Sequence, residues 1–238
     1  MLSCLTSGLP LSIIAIHGLS AQSPSTWEFR KSDGSGVVNW LVEEDMLPAA
    51  VPEARILTYD WNGNYFGDAA VQTLLGHADS LLGLVAEDIA STSDRPLVFI
   101  ASCFGGLVLS EALNRASQPG SLYAGILLRT VGVVFLGTPF CGTDASRNVQ
   151  WIVVIKGIMG DQTSNSLVQE LSRSYDLLRK RTQEFAEMAN SSPFRLPICC
   201  FYETRPTEIL RRILPVNRLT QHFVRRTRKI VCTGLPTL

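Results

Sequence analysis

The chain has 238 residues, 46% hydrophobic and 18% charged, with 21 basic and 21 acidic side chains. That composition excludes a disordered protein, and a net charge of zero provides no global field to draw in nucleic acid. The length suits one large α/β domain with a substantial core.

The first strand-like run is Ser12–Ile16, apolar and β-branched, leading into His17-Gly18-Leu19. The apolar stretch 9–16 has no charged region before it and no small-residue cleavage site after it. It therefore reads as a first core strand and not as a secretory signal. Residues 37–47 form a short helix candidate closed by Pro48 and Pro52. Arg55–Tyr59 is a second strand, ended by the turn signal Asp60-Trp61-Asn62-Gly63. Over 69–89 apolar residues fall at 71, 74, 75, 78, 81, 82, 85 and 89, the spacing of an amphipathic helix. Residues 97–101 are continuously apolar, as in a strand buried on both faces, and a helix follows over 107–116. Another buried strand covers 131–136 and stops at Gly137-Thr138-Pro139. A polar helix spans 165–189 with a break expected at 172–174, and the polar region 161–190 is a lid candidate. The last clear strand is 197–202. Strands alternating with helices predict a mostly parallel central sheet with helices on both faces. No run reaches the roughly 18 apolar residues of a spanning helix; Arg129 interrupts the longest candidate, 122–136.

The most informative stretch joins the strand at 97–101 to the helix at 107–116. It reads Ala101-Ser102-Cys103-Phe104-Gly105-Gly106. A nucleophile between small residues at a strand-to-helix corner is the layout of a nucleophile elbow, which lifts one side chain above a parallel sheet. Cys103 is the candidate nucleophile. Gly105 and Gly106 let the helix approach the strand. The Phe104 backbone N–H, at a helix N-terminus, is a candidate oxyanion donor, and that setting favours a thiolate. The competing reading is a buried, inert thiol in a glycine-rich turn. His17, Gly18 and Leu19 stand where a second oxyanion donor is expected, with His17 shaping the loop; a histidine merely satisfied at a strand end is the alternative. Asp144 is either an acid that orients a base or the cap of a following helix. Glu203 is either a triad acid or a solvent-facing strand end.

Six cysteines, at 4, 103, 141, 199, 200 and 232, form no C-x-x-C pair. They are expected to be reduced thiols in an intracellular compartment, with no metal and no cofactor. From Arg205 onward eight Lys or Arg face one acid, Glu208. The domain is expected over 1–208 and a basic, divergent tail over 209–238. Peripheral membrane contact through that tail and a merely solvated tail are both open.

Together these motifs resemble the lipase-like α/β-hydrolase domain of the serine-active-site-containing protein family, of the fungal type associated with NACHT, ankyrin or TPR modules. The family pattern is matched in order by His17-Gly18-Leu19, Arg55–Tyr59, residues 101–106, 135–144 and 201–207. The resemblance covers residues 10–208 and implies the α/β-hydrolase fold. It also implies a small-molecule or lipid acyl substrate, protein partners, and association with mitochondria or the endoplasmic reticulum. Three positions depart from the pattern. Cys103 replaces the nucleophilic serine, with Ala101 for the glycine two before it. Phe140 replaces a histidine after Gly137-Thr138-Pro139. The family's catalytic Asp-His motif has no counterpart, which points to a truncated or alternatively spliced end; His222 is the base by default. Two functions follow: an ester, thioester or lipid acyl hydrolase using Cys103, or a catalytically weak signalling module built on the same fold.

Overall fold

The computed structural model describes residues 10–19, 21–62, 74–91, 94–140, 165–192, 195–201 and 231–233. Six strands form one sheet in the order β4-β1-β5-β6-β7-β8. They are β1 (Ser12–Ile16), β4 (Arg55–Tyr59), β5 (Leu97–Ser102), β6 (Thr130–Leu136), β7 (Ile198–Phe201) and β8 (Val231–Thr233). Every pairing is parallel except that of β7 with β8. A separate antiparallel hairpin pairs β2 (Glu28–Arg30) with β3 (Val37–Asn39). Among the described residues the α-helices are α1 (Leu47–Ala50), α2 (Leu74–Ser91), α3 (Gly105–Ala116), α4 (Ala124–Arg129) and α5 (Asn165–Asn190). This is a mostly parallel central sheet with helices packed on it.

The side chains of the sheet sort by the two-residue period of a strand. Ile14, Ile16, Tyr59, Leu97, Phe99, Ala101, Val133 and Phe135 point to one face, into a core shared with α2, α3, α4 and α5. Ala15 and Ile56 point to the other, against Trp27, Trp40, Leu41 and Leu47, so the hairpin region and α1 cover that face. At roughly 25 cal/mol per Å² of apolar surface, burial on both faces is what holds the central strands. α3 lies deepest: every residue in it but Arg115 is buried.

Three sequence expectations are corrected. Residues 37–47 are not a helix. The β-branched pair Val37-Val38 extends into β3, and Asn39 Oδ1 accepts the Leu41 N–H at 3.0 Å, turning the chain; the helix starts only at Leu47, with Pro48 in its first turn. α5 runs unbroken through 172–174, since a serine costs a helix only about 0.5 kcal/mol. From Leu178 onward α5 is core and not lid: Leu178, Phe185 and Ala189 are buried in the main cluster. The apolar stretch 122–136 divides into α4 and β6, joined where the Thr130 hydroxyl donates to the Ile126 carbonyl at 2.8 Å.

The strand order also places the site. β1 connects to β4 on one side, whereas β5, on its other side, connects to β6. The chain leaves the C-terminal ends of β1 and β5 in opposite directions, and such a switch point opens a crevice above the sheet.

Candidate active site

Cys103 stands at that switch point. β5 ends at Ser102, α3 begins at Gly105, and Cys103 between them has φ 50°, the left-handed region that non-glycine residues rarely adopt. Its N–H donates to the Leu136 carbonyl at 2.8 Å, continuing the β5–β6 ladder by one residue. Its carbonyl accepts the Gly106 N–H at 3.1 Å and so opens the first turn of α3. The residue thus belongs to strand and helix at once. Its thiol is half-buried and in no disulfide.

The small residues around it are required by contact. A Cβ on Gly105 would lie 2.3 Å from the His17 carbonyl oxygen and 2.9 Å from Ile16 Cγ2. A Cβ on Gly106 would lie 2.0 Å from Thr138 Oγ1, a buried hydroxyl without a hydrogen bond. Across the crevice, a Cβ on Gly18 would lie 2.7 Å from Cys103 Cβ and 3.4 Å from its sulfur. The β1 loop therefore brings bare backbone against the thiol. The Phe104 N–H lies at the start of α3, while the Phe104 ring is buried and stacked on Trp61 at 6.1 Å.

His17 is fully buried. Its Nδ1 contacts the Gly18 carbonyl at 2.8 Å, and a carbonyl only accepts, so Nδ1 carries the proton. Its Nε2 accepts the Trp61 N–H at 3.2 Å, with Asp60 Oδ1 at 3.4 Å. Trp61 returns a bond from its indole N–H to the His17 carbonyl at 2.8 Å and stacks on the imidazole within 8° of parallel. Both nitrogens are thus engaged, and the imidazole contacts the carbonyl of Gly18, whose backbone packs beside Cys103. The partner of His17, Trp61, is the residue that sequence reasoning missed. The Asp60-Trp61 pair reads as a turn signal, and only its place directly after β4 marks it as part of the site. His77 packs edge-on to Trp61 at 4.6 Å, and burial lowers its pKa.

Phe140 takes an apolar role. Its ring meets Phe135 edge-on at 4.8 Å and stacks with Phe185 at 6.4 Å, tying the segment after β6 to α5. Leu19 is buried in the same main core. Asp144, Glu203 and His222 lie outside the described residues. The structure thus brings together Cys103, His17, Gly18, Leu19, Phe104 and Gly105. Among the described residues no group of three metal-ligating side chains occurs, and no helix is long and apolar enough to cross a membrane.

No family model matches the chain. It is similar to protein SERAC1 of Mus musculus, 26% identical over 221 residues and 87% of this chain, and to protein SERAC1 of Homo sapiens, 25% identical over 83% of this chain. It spans roughly a third of those relatives' length, 32% and 31%. Among solved structures it resembles the lipase BlEst2 of Bacillus licheniformis, with 15% identity, TM-score 0.44, and coverage of 82% of this chain and 66% of that one. It also resembles a hydrolase from Oleispira antarctica, with 14% identity, TM-score 0.42, and coverage of 88% and 81%.

Proposed function

We propose that the chain is an acyl hydrolase of ester, thioester or lipid acyl bonds in which Cys103 is the nucleophile. The observation that carries this reading is the left-handed backbone of Cys103 at the head of α3, with the Gly18 backbone packed against it. A non-glycine residue in that region costs about 1–2 kcal/mol, and such strain clusters at catalytic corners. The same corner could have been made by glycine without strain, and a thiol stands there instead.

In the reaction the Cys103 thiolate adds to the acyl carbon. The carbonyl electrons move to oxygen, facing the Phe104 and Leu19 region, where backbone N–H groups would share the charge. Collapse expels the alcohol or thiol, which takes up a proton, and leaves a thioester on Cys103. Water then adds to the thioester carbon, the C–S bond breaks, and the carboxylic acid leaves as the thiol is restored. A cysteine needs less help from a base in the first step than a serine, because part of it is already ionised near neutral pH. The second step needs activated water. Glu203 or Asp144 as acid and His222 as base are the residues proposed for it. A small-molecule or lipid acyl group is the substrate class, and peripheral membrane contact through the basic segment after Arg205 would bring lipid within reach.

The second reading is a weakly catalytic or inactive interaction module. It is favoured by Phe140, whose ring is absorbed into the apolar core, and by His17, whose nitrogens are both committed. One experiment separates the two: mixing the protein with a short-chain p-nitrophenyl ester while following release of the phenol and the intact mass. The hydrolase reading expects an acyl adduct or turnover in wild type, lost in Cys103→Ala. Folded wild-type protein giving neither, across acetyl to octanoyl esters, would favour the interaction module.

A further inference from the structure

α3 carries a second feature at its other end. Between the C-terminal half of α3, the turn leading to α4 and α5 lies a cavity of about 670 Å³, within the size range of small-molecule sites. Two of its wall residues are almost wholly buried: Glu111, 2% exposed, and Asn114, 3% exposed. Neither carboxylate oxygen of Glu111 has a hydrogen bond, and nor does Asn114 Oδ1. The Asn114 amide is oriented, since its Nδ2 donates to the Arg181 carbonyl at 2.9 Å; its oxygen is therefore the atom left over.

The neighbouring cations are shared with other carboxylates. Arg115 Nε lies 2.7 Å from Asp79 as an ion pair without a hydrogen bond, and Arg181 donates to Glu184 at 3.1 Å. Arg181 Nε approaches Glu111 only to 3.6 Å, an ion pair without a hydrogen bond. Three carboxylates, Asp79, Glu111 and Glu184, thus share two guanidinium groups and the Lys180 ammonium, which lies 3.9 Å from Glu184; Glu111 is the buried one, and neither of its oxygens has a hydrogen bond. Buried acceptors in this state each cost about 1–3 kcal/mol, more for a charged group. A ligand that brings donors and one positive charge relieves that cost, whereas an anion increases it.

We infer that this cavity is a binding site for a primary amine, whose ammonium group seats on the Glu111 carboxylate and the Asn114 side-chain oxygen. An alkylammonium has three N–H donors, equal in number to the three acceptor oxygens left over. Leu122, which lines the cavity and is 95% exposed, gives an apolar border to the amine's carbon body. The same ammonium chemistry is presented by a free amine and by an ethanolamine lipid headgroup. The site is separate from the elbow: Glu111 lies eight residues along α3 from Cys103, about 12 Å at 1.5 Å per residue.

The test is calorimetric titration of the full chain with n-butylammonium and ethanolamine, with tetramethylammonium as a cation lacking N–H donors. Vesicles with and without an ethanolamine-headgroup lipid form a second arm. Saturable binding of the primary amines is expected, at least tenfold tighter than tetramethylammonium and weakened at least tenfold by Glu111→Gln. Gln118→Lys, at an exposed cavity-lining position, is expected to weaken it several-fold with the core left intact. Cys103→Ala should leave it unchanged, so failure here and failure of the hydrolase reading are distinguishable. Binding of soluble amines assigns a free ligand; binding only to the ethanolamine vesicles, with the same loss in Glu111→Gln, assigns the headgroup. No binding to folded wild type in either arm overturns the inference, as does binding indifferent to Glu111→Gln and Gln118→Lys.

Discussion

The two ends of α3 solve opposite problems. At its N-terminus backbone lies on backbone, and the buried imidazole of His17 is satisfied at both nitrogens by Gly18 and Trp61. At its C-terminal half, Glu111 and Asn114 line a cavity and carry buried acceptor oxygens that have no hydrogen bond. Both residues are as inaccessible as the apolar side chains around them. The difference teaches where precision is spent. The elbow end is packed backbone on backbone at Gly18 and Gly105 and presents one strained residue at its edge. The far end keeps room and leaves acceptors without donors. One helix carries both, so a substitution at either end reports on its own end unless the whole helix moves.

The largest expected effect is at the close-packed end. Gly105→Ala places a methyl 2.3 Å from the His17 carbonyl oxygen, a backbone atom held by the Trp61 indole, so it cannot rotate away as a side-chain tip would. Overpacking of this kind costs about 3 kcal/mol. Urea denaturation should show that loss. A loss below about 0.5 kcal/mol would mean that the β1 loop yields, and the contrast between a rigid end and an open end would fall.

A smaller effect isolates strain from packing. Cys103→Ala keeps the left-handed backbone and removes the sulfur, while Cys103→Gly also releases the strain. The glycine variant should exceed the alanine variant by about 1 kcal/mol in unfolding free energy, because glycine adopts positive φ without the Cβ clash. Both should be inactive towards p-nitrophenyl esters. An alanine variant as stable as the glycine variant would show that Cys103 rests there unstrained, removing the main support for a functional corner.

Much of the elbow end was legible in the sequence. Ser12–Ile16 and Arg55–Tyr59 are continuous apolar or β-branched runs bounded by turn residues, and they form strands at those limits. The run Ala101-Ser102-Cys103-Phe104-Gly105-Gly106 signals the corner because only small residues survive the contacts at 18, 105 and 106. The role of Trp61 was not legible, since its bonds to His17 cross 44 residues of chain. Residues 37–47 misled because Pro48 marks a helix start as readily as a helix end. The cavity end left no local signal: Glu111 and Asn114 occupy ordinary helical positions, and they are buried by packing between elements far apart in the chain, α5 on α3 among them.

The smallest expected stability effect, and the one that most sharpens the contrast, comes from pH. Burial raises the Glu111 pKa above its ordinary value of 4.5; Arg181 and Arg115 pull it back, while Glu184 and Asp79 push it further up. A carboxyl group whose folded pKa exceeds its unfolded value favours the folded state while protonated. Its contribution is whole below pH 4.5 and is lost as pH rises through the folded pKa. Glu111→Gln has no such loss. Its unfolding free energy should equal that of wild type at pH 4 and move above it as pH rises towards 7, with a plateau once Glu111 is fully ionised. The two arginines offset part of the burial cost, which keeps the gain below the effects at the elbow. A variant no more stable than wild type at pH 7 would mean that Arg181 and Arg115 already meet the needs of the carboxylate. The far end of α3 would then be as satisfied as the near one, with no deficit for an amine to fill. If the gap appears and a primary amine closes it by stabilising wild type but not Glu111→Gln, the same carboxylate accounts for both the instability and the binding.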